Sequence, residues 1–470
     1  MREYHIGIEP FEYTAVQDIK ITRAVNEHAE ASVTVQIRDG REEEYLGMLA
    51  GETWVRIIGT SGQDGAAGAV HTVLFHGIVT DFSFSHDSRG TTMYLALASG
   101  TVLMDMEPHF RVFQNENALC ASIHEGITGA YPDGRATCTE GGSDRTRGIL
   151  IQYRETDWEF LKRMAAASGR CLVPDALQKG VRYTVGLPEG TGRDIPADHI
   201  RTRLDMREYM EKTRGGMTWL CTGDMPELVV TDREICRIGD RMSYQGREYH
   251  ICRIETAYRG GECLHTYHLR RKEALSPLPV PHGSITGCSF DASVTGVQRD
   301  RVQVEIAGDE WNARDGKAWF PYATVYSSPD GTGWYCMPEI GDMVRLHIPA
   351  HHEEQAYVAS AVHLETAGAE RSNPDIKRIM NKHRKEIRFT PDSIVLTNNR
   401  GTRIALTDQN GIEIVSEHAI ALRAREDLTL SSETGSLTAA GTESVNLRQK
   451  NTGIDIGKGI SFTGGEMRVQ

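Results

Sequence analysis

From Glu386 to the C-terminus the chain repeats one short unit: two apolar residues separated by one residue, then a turn, about every eight residues. The apolar pairs are Ile387/Phe389, Ile394/Leu396, Ile404/Leu406, Ile412/Ile414, Ile420/Leu422, Leu428/Leu430, Leu437/Ala439, Val445/Leu447, Ile454/Ile456 and Ile460/Phe462. Alternation within a pair is the strand period, and linking steps such as Asn398-Asn399-Arg400-Gly401 and Asp408-Gln409-Asn410-Gly411 are turn chemistry. A single ribbon of this kind has too little core, because two inward side chains per step do not offset an ordering cost of roughly 1–2 kcal/mol per residue. It must share a core with other copies. Three chains wound about one axis would enclose these side chains in a prism, so the segment reads as one third of an intertwined needle. The alternative is a single-chain β-solenoid, which usually needs longer coils.

The remaining 385 residues leave room for several domains. No apolar run approaches 18 residues, so no membrane-spanning helix is expected. The opening Met-Arg-Glu-Tyr-His-Ile has no apolar signal region, and a cytoplasmic site of assembly is expected. Nine cysteines (Cys120, Cys138, Cys171, Cys221, Cys236, Cys252, Cys263, Cys288 and Cys336) show no C-x-x-C spacing and an odd total. That argues against a disulfide framework and a zinc ribbon, and most should be small core residues. A net charge of −13 disfavours nucleic-acid binding, which draws on phosphate neutralisation. Between 385 and 470 ten basic residues face eleven acidic ones, a balance suited to packing identical chains around one axis.

Alternating segments over 14–21, 31–37, 53–58, 72–80 and 92–97 predict a first β-barrel in 1–105. An α+β insert follows over 106–225. Within it Asn115 to Glu125 reads as a helix, and Thr156-Asp157-Trp158-Glu159 is a capping box whose helix turns Trp158, Leu161, Met164 and Ala165 inward before Gly169. Residues 226–275 read as a second barrel, sharing strands with the first half. Ser276-Pro277-Leu278-Pro279-Val280-Pro281-His282-Gly283 is an extended linker over 276–283. Strand signals at 294–306, 317–325, 333–338, 343–348 and 356–362 predict a five-stranded OB-like barrel over 284–364. A connector over 365–385 leads into the needle, 386–470.

Two motifs then carry a resemblance. Gln152-Tyr153-Arg154-Glu155-Thr156-Asp157-Trp158-Glu159-Phe160-Leu161-Lys162-Arg163 resembles the Q-Y-R-E-[ST]-D-x-x-F-[LI]-x-R signature of the VgrG and phage-spike family, the trimeric hub and spike of contractile injection machines. Asp300-Arg301-Val302-Gln303-Val304, with Pro338-Glu339-Ile340-Gly341-Asp342-Met343-Val344, is similar to that family's GRVKV and P-x-x-G-[DE]-x-V elements. Where the family continues with D-P-D-x-P, this chain has Ala350-His351-His352-Glu353-Glu354, the mark of a divergent branch. The resemblance implies two hub barrels, a homotrimer, and a pseudo-sixfold adaptor between a sixfold inner tube and a threefold membrane-puncturing needle. It further implies baseplate proteins as partners, and a tip cap of the proline-alanine-alanine-arginine (PAAR) type that carries effectors. Such a cap would meet Gly464, Gly465, Met467 and Val469. Assembly would take place inside a bacterium, with delivery outward on contraction.

The residues themselves point to no catalysis, cofactor or metal. His351-His352-Glu353-Glu354 is the one dense set of possible ligands, but adjacent histidines on an extended backbone face opposite ways. About twenty residues separate the OB-like barrel from the needle, too few for a hydrolase with two carboxylates across a cleft. Trp334 is expected in the barrel core. Two other classes stay open. A β-helical tailspike-type carbohydrate-degrading enzyme or adhesin would need long coils, with clustered carboxylates in an enzyme. An OB-fold nucleic-acid binder is opposed by Glu305, Asp309 and Glu310.

Overall fold

The structure is a computed structural model that describes residues 4–61, 70–193, 200–312, 314, 316–359, 361 and 371–464. The fold is mainly β, and the chain divides into two compact units, Met1–His363 and Leu364–Gln470.

In the first unit, alternation places Ala31, Val33, Val35 and Ile37 on the buried face of the strand Glu30–Ile37, where they meet Val55, Ile57, Met93 and Leu95. A second core gathers Leu228, Ile251, Ile254, Tyr267 and Leu269. The two expected barrels have separate cores but share one eleven-stranded sheet. Its strands run in the order Tyr4–Glu9, Trp54–Ser61, Val70–Asp87, Gly90–Ala98, Glu30–Ile37, Ala15–Ala24, Arg247–Arg259, Glu262–Arg270, Glu227–Asp232 and Arg201–Arg203, with Arg241–Tyr244 beside Arg247–Arg259. The seam between the halves pairs Asp18–Ala24 with Arg253–Arg259.

The insert's first helix is Cys120–Thr128; it starts later than expected because Asn115 Oδ1 accepts from Asn117 N in a turn before it, and it also ends later. The second, Asp157–Ala167, has the reciprocal box: Thr156 Oγ1 accepts from Glu159 N at 3.2 Å and Glu159 Oε2 from Thr156 N at 3.0 Å. Its inward residues Trp158, Leu161, Met164 and Ala165 are buried. Of the nine cysteines only Cys171, Cys236, Cys252 and Cys263 are fully buried, fewer than expected.

The barrel after the linker has five strands, ordered Phe320–Pro321, Arg301–Ile306, Ser289–Gln298, Met343–His347 and Tyr357–Ala359. Two expectations fail there. The run 294–306 is a hairpin, turned at Arg299 with φ +53°. Residues 333–338 form no strand, and Trp334 is 57% exposed instead of lying in the core. Gly333 sets this: at φ +146°, a Cβ there would stand 2.4 Å from Tyr326 O, and the tight turn throws Trp334 outward.

The second unit opens with a five-stranded antiparallel meander, Lys377–Met380, Glu386–Thr390, Ser393–Thr397, Arg403–Thr407 and Gly411–Val415. The register aligns Ile387, Leu396, Ile404 and Ile414 in one cross-strand row and Phe389, Ile394, Leu406 and Ile412 in a second. All eight point to one face. After 416–444, which carries no strand, a three-stranded meander forms from Val445–Gln449, Thr452–Ile456 and Ile460–Thr463. The strand expected at every step is therefore missing for three pairs: Ile420 with Leu422, Leu428 with Leu430, and Leu437 with Ala439. Turn chemistry accounts for much of the difference. Asn399, Gly401 and Gly411 take positive φ and fold the early strands back, whereas the links 416–419 and 423–427 contain neither glycine nor asparagine.

The side chains expected in the needle core do not form a core within one chain. Leu430 is 62% exposed and Leu447 is 59% exposed. Ile420, Leu422, Leu428, Ile456, Ile460 and Phe462 are exposed as well, and only Val445 and Ile454 of the later pairs are half-buried. The causes differ. Leu430 lies in the strandless stretch, where no ladder holds a neighbour against it, whereas Leu447 sits on a strand beside Ile454 in a sheet one layer thick. Among the described residues nothing packs on the apolar face of such a sheet.

Candidate functional site

The first motif builds a charged joint inside the first unit. The strand Leu150–Thr156 pairs with Pro108–Phe113, with a bulge between His109 and Phe110 and a left-handed Arg154 at φ +55°. Gln152 and Asp157, both buried, form one end. Asp157 accepts from Gln152 Nε2 at 2.8 Å, from Tyr131 Oη at 2.7 Å, and from Arg111, which also donates to Gln152 Oε1 at 2.9 Å. Burial, then the neighbouring Asp157 carboxylate, pushes the Tyr131 phenol well above its usual range.

Arg163 forms the other end. Its Nε and Nη2 donate to the two oxygens of Glu155 at 2.8 and 2.9 Å, Nη2 also reaches Ile151 O at 2.8 Å, and Nη1 donates to Glu353 Oε1 at 3.0 Å. His282, from the linker and 4% exposed, donates from Nε2 to Tyr153 O at 3.1 Å, and its Nδ1 lies 3.9 Å from Glu353 Oε1. Burial alone would raise the Glu353 carboxyl, yet His282 and Arg163 outweigh it and hold the group below the usual carboxylate range. Arg163 thus ties the insert to the barrel, and His282 of the linker lies against the same Glu353 carboxylate.

Asp309 and Glu310 close the joint from the barrel side. Asp309 Oδ1 accepts from Val112 N at 2.9 Å, Glu310 Oε1 accepts from Phe110 N at 3.1 Å, and Glu310 Oε2 lies 2.7 Å from His109 Nδ1. Phe110, Tyr153 and Phe290 pack beside them with ring centroids 4.8–5.6 Å apart. Phe160 is fully buried, stacked on Phe113 at 5.1 Å. Sequence reading weighed Asp309 and Glu310 only as charges, because nothing local marks a carboxylate whose partner lies about 200 residues away.

The second motif lies elsewhere. Pro338 is buried, Gly341 adopts φ +94°, and Asp342 Oδ2 accepts from Glu339 N at 2.8 Å. Backbone bonds from Gly341 N to Val294 O and from Val294 N to Asp342 O fasten this turn to the barrel strand. It is a closure of the barrel wall. The His351 and His352 rings, expected on opposite faces, lie 4.0 Å apart at 46°, because the chain bends there into the short helical turn Glu353–Gln355. Among the described residues no group of three or more His, Cys, Asp or Glu side chains is arranged to hold a metal ion. Gly465, Met467 and Val469 lie outside the described residues, and Gly464 takes φ +142° after the last strand.

Residues 60–180, which include the first motif, match the family described as the phage tail baseplate hub (GPD). No curated protein sequence matches the chain. Among solved structures, a Francisella PdpA–VgrG complex in its half-lidded state aligns over 88% of this chain and 88% of its own at TM-score 0.55 and 9% identity. An E. coli protein, c3393, aligns over 76% of this chain and all of its own at TM-score 0.51 and 13% identity. It is described as a component of the type VI secretion system, with structural similarity to the T4 phage tail proteins gp27 and gp5. The chain has the VgrG/phage-spike fold. In this chain the motif positions Gln152, Glu155, Asp157 and Arg163 serve internal fastening, since each bonds groups of its own chain. No helix among its described residues is long and apolar enough to cross a membrane.

Proposed function

We propose that the protein is the homotrimeric hub and spike of a contractile injection system, joining a sixfold inner tube to a threefold membrane-puncturing needle. The apolar face of the second unit carries this reading. Its eight aligned side chains, from Ile387 to Ile414, are 38–71% exposed in the single chain. Burial stabilises by about 25 cal/mol per Å² of apolar surface, so a face of this size left in water forgoes on the order of 10 kcal/mol per chain. Two further copies wound on the same axis would cover it, along with Leu447, and would supply neighbours for Leu430 and the rest of the strandless stretch 416–444.

The action is mechanical. Contraction drives the tube, and a hydrogen-bonded prism transmits the thrust to a target membrane without bending. The Arg163 joint suits such a load because it fastens the insert helix to the barrel by a buried ion pair. Inner tube and baseplate proteins would meet the hub half. A PAAR-type cap carrying effectors would sit beyond Phe462, and the particle would assemble in a bacterium before outward delivery. Native mass spectrometry over a dilution series tests the reading: a species of about 157 kDa, three times 52.2 kDa, is expected down to nanomolar concentration. A folded 52.2 kDa monomer at micromolar concentration would end it.

A further inference from the structure

At the seam between the halves of the hub sheet the buried face turns polar. Alternation along Ala15–Ala24 sends Ile19, Ile21 and Arg23 to one side. Facing residues of antiparallel neighbours share that side, so two adjacent rows cross the seam: Arg23, Ile254 and Tyr267 in one, Ile21, Thr256 and His265 in the other. None of the six is more than 7% exposed. Ile21 belongs to the first hub core, whereas Ile254 and Tyr267 belong to the second, and Arg23 therefore sits where the two cores meet.

Three of the four polar groups in these rows are satisfied by their own chain. Thr256 Oγ1 and His265 Nδ1 lie 2.8 Å apart, and Tyr267 Oη donates to Glu234 O while accepting from Cys236 N at 3.0 Å. Arg23 is the exception. Its Nε is buried without a hydrogen-bond partner, and among the described residues no carboxylate stands within ion-pair distance of its guanidinium. Asp175 acts on it only from farther away, and Asp175 Oδ1 already accepts from Leu177 N at 2.8 Å. Arg237 adds a second positive charge to the surroundings. His265 brings no counter-charge either, being neutral or cationic. A buried lysine could escape by losing its proton, but arginine stays charged, and a buried cation without a counter-charge is strongly destabilising.

We infer that the Arg23 guanidinium holds a small inorganic anion inside the seam, enclosed between the two halves of the hub sheet. Charge and access together set the class of ligand. The planar fork of N–H donors suits a halide or an oxyanion such as phosphate. At 7% exposure the group is out of reach of a folded partner's surface or a lipid headgroup, whereas a small ion can be enclosed as the strands pair. Because the row that carries Arg23 joins residues of one core to residues of the other, the ion acts as an internal clip on the hub. The site lies within one chain and does not depend on the trimer proposed above.

Thermal unfolding of the full-length protein at fixed pH and ionic strength tests the site, with sodium gluconate exchanged stepwise for sodium chloride or sodium phosphate. An ion bound only by the folded state raises Tm by about 2 °C for each tenfold rise in its concentration above the dissociation constant. The unsubstituted protein should show this response to chloride, to phosphate or to both, and the comparison of the two salts tells halide from oxyanion. Arg23→Met should abolish the response. Lys20→Met removes a charge from the opposite face of the same strand, where the side chain is 72% exposed, and should keep it. Equal melting in gluconate, chloride and phosphate overturns the inference without recourse to any variant. A response that survives in Arg23→Met overturns it as well, since the ion then binds elsewhere.

Discussion

Arg163 and Glu353 stand 190 positions apart in the chain and 3.0 Å apart in space, and their contact fastens the insert helix to the barrel beyond the linker. Both side chains are nearly excluded from solvent, at 10% and 12% exposure. A buried pair of this kind contributes modestly against two apolar residues, but losing one partner strands the other. Arg163→Met leaves Glu155 and Glu353 without their guanidinium and should cost about 3–5 kcal/mol. Glu353→Gln should cost less, since Arg163 keeps Glu155. Thermal unfolding of the full chain checks the order, and a double-mutant cycle should return a coupling above about 1 kcal/mol. Additive losses would show that the contact carries no energy of its own.

Acid should weaken the hub before it reaches the carboxylates. Burial holds His124 near a pKa of about 3 and His265 near about 4, far below an ordinary histidine. Both therefore stay neutral in the folded state while the unfolded chain takes up protons below about pH 6.5. Stability is complete above that pH and falls by a few kcal/mol as the pH drops toward 4. Glu353, held low by its partners, begins to count only below the ordinary glutamate range, as the pH falls through its folded value. Melting temperature should decline steeply from pH 6.5 to 4.5, and His124→Asn with His265→Asn should flatten that decline. An unchanged slope would mean that neither imidazole is protonated on unfolding.

How much of this was legible depends on how local the cause is. The Thr156–Glu159 box was readable because both bonds close within four residues. The face from Ile387 to Ile414 was readable because strand alternation and Asn-Gly turns lie side by side in sequence. The hairpin at Arg299 was not, since Gln298-Arg299-Asp300-Arg301 contains no glycine, asparagine or proline to signal a turn. Nor were the Asp309, Glu310 and Glu353 contacts, where only the fold brings partners together. Strand sharing between the two barrels was expected, but the Asp18–Ala24 seam itself was not legible for the same reason: pairing partners more than 200 residues apart leave no local pattern.

The tip gives a third test. Removing residues 459–470 deletes the last strand, Ile460–Thr463, and should abolish capture of a purified PAAR-type cap while leaving the trimeric mass intact, because the preceding apolar rows remain. Cap retention by the shortened protein would place its binding surface elsewhere.

The needle's inward register is tested within the stretch that has no strand of its own. Leu422 is 64% exposed in the single chain and its neighbour Arg423 is exposed too, so lysine at either position should be harmless to a monomer. In the trimer the two differ. Leu422→Lys would set three ammonium groups around the axis with no counter-ion, at a cost of several kcal/mol per ion. Arg423→Lys keeps an outward charge in water. Trimer mass should be lost in the first variant and kept in the second, with both retaining the folded first unit by circular dichroism. Equal loss in both would show that the apolar pairs of 416–444 do not face the axis.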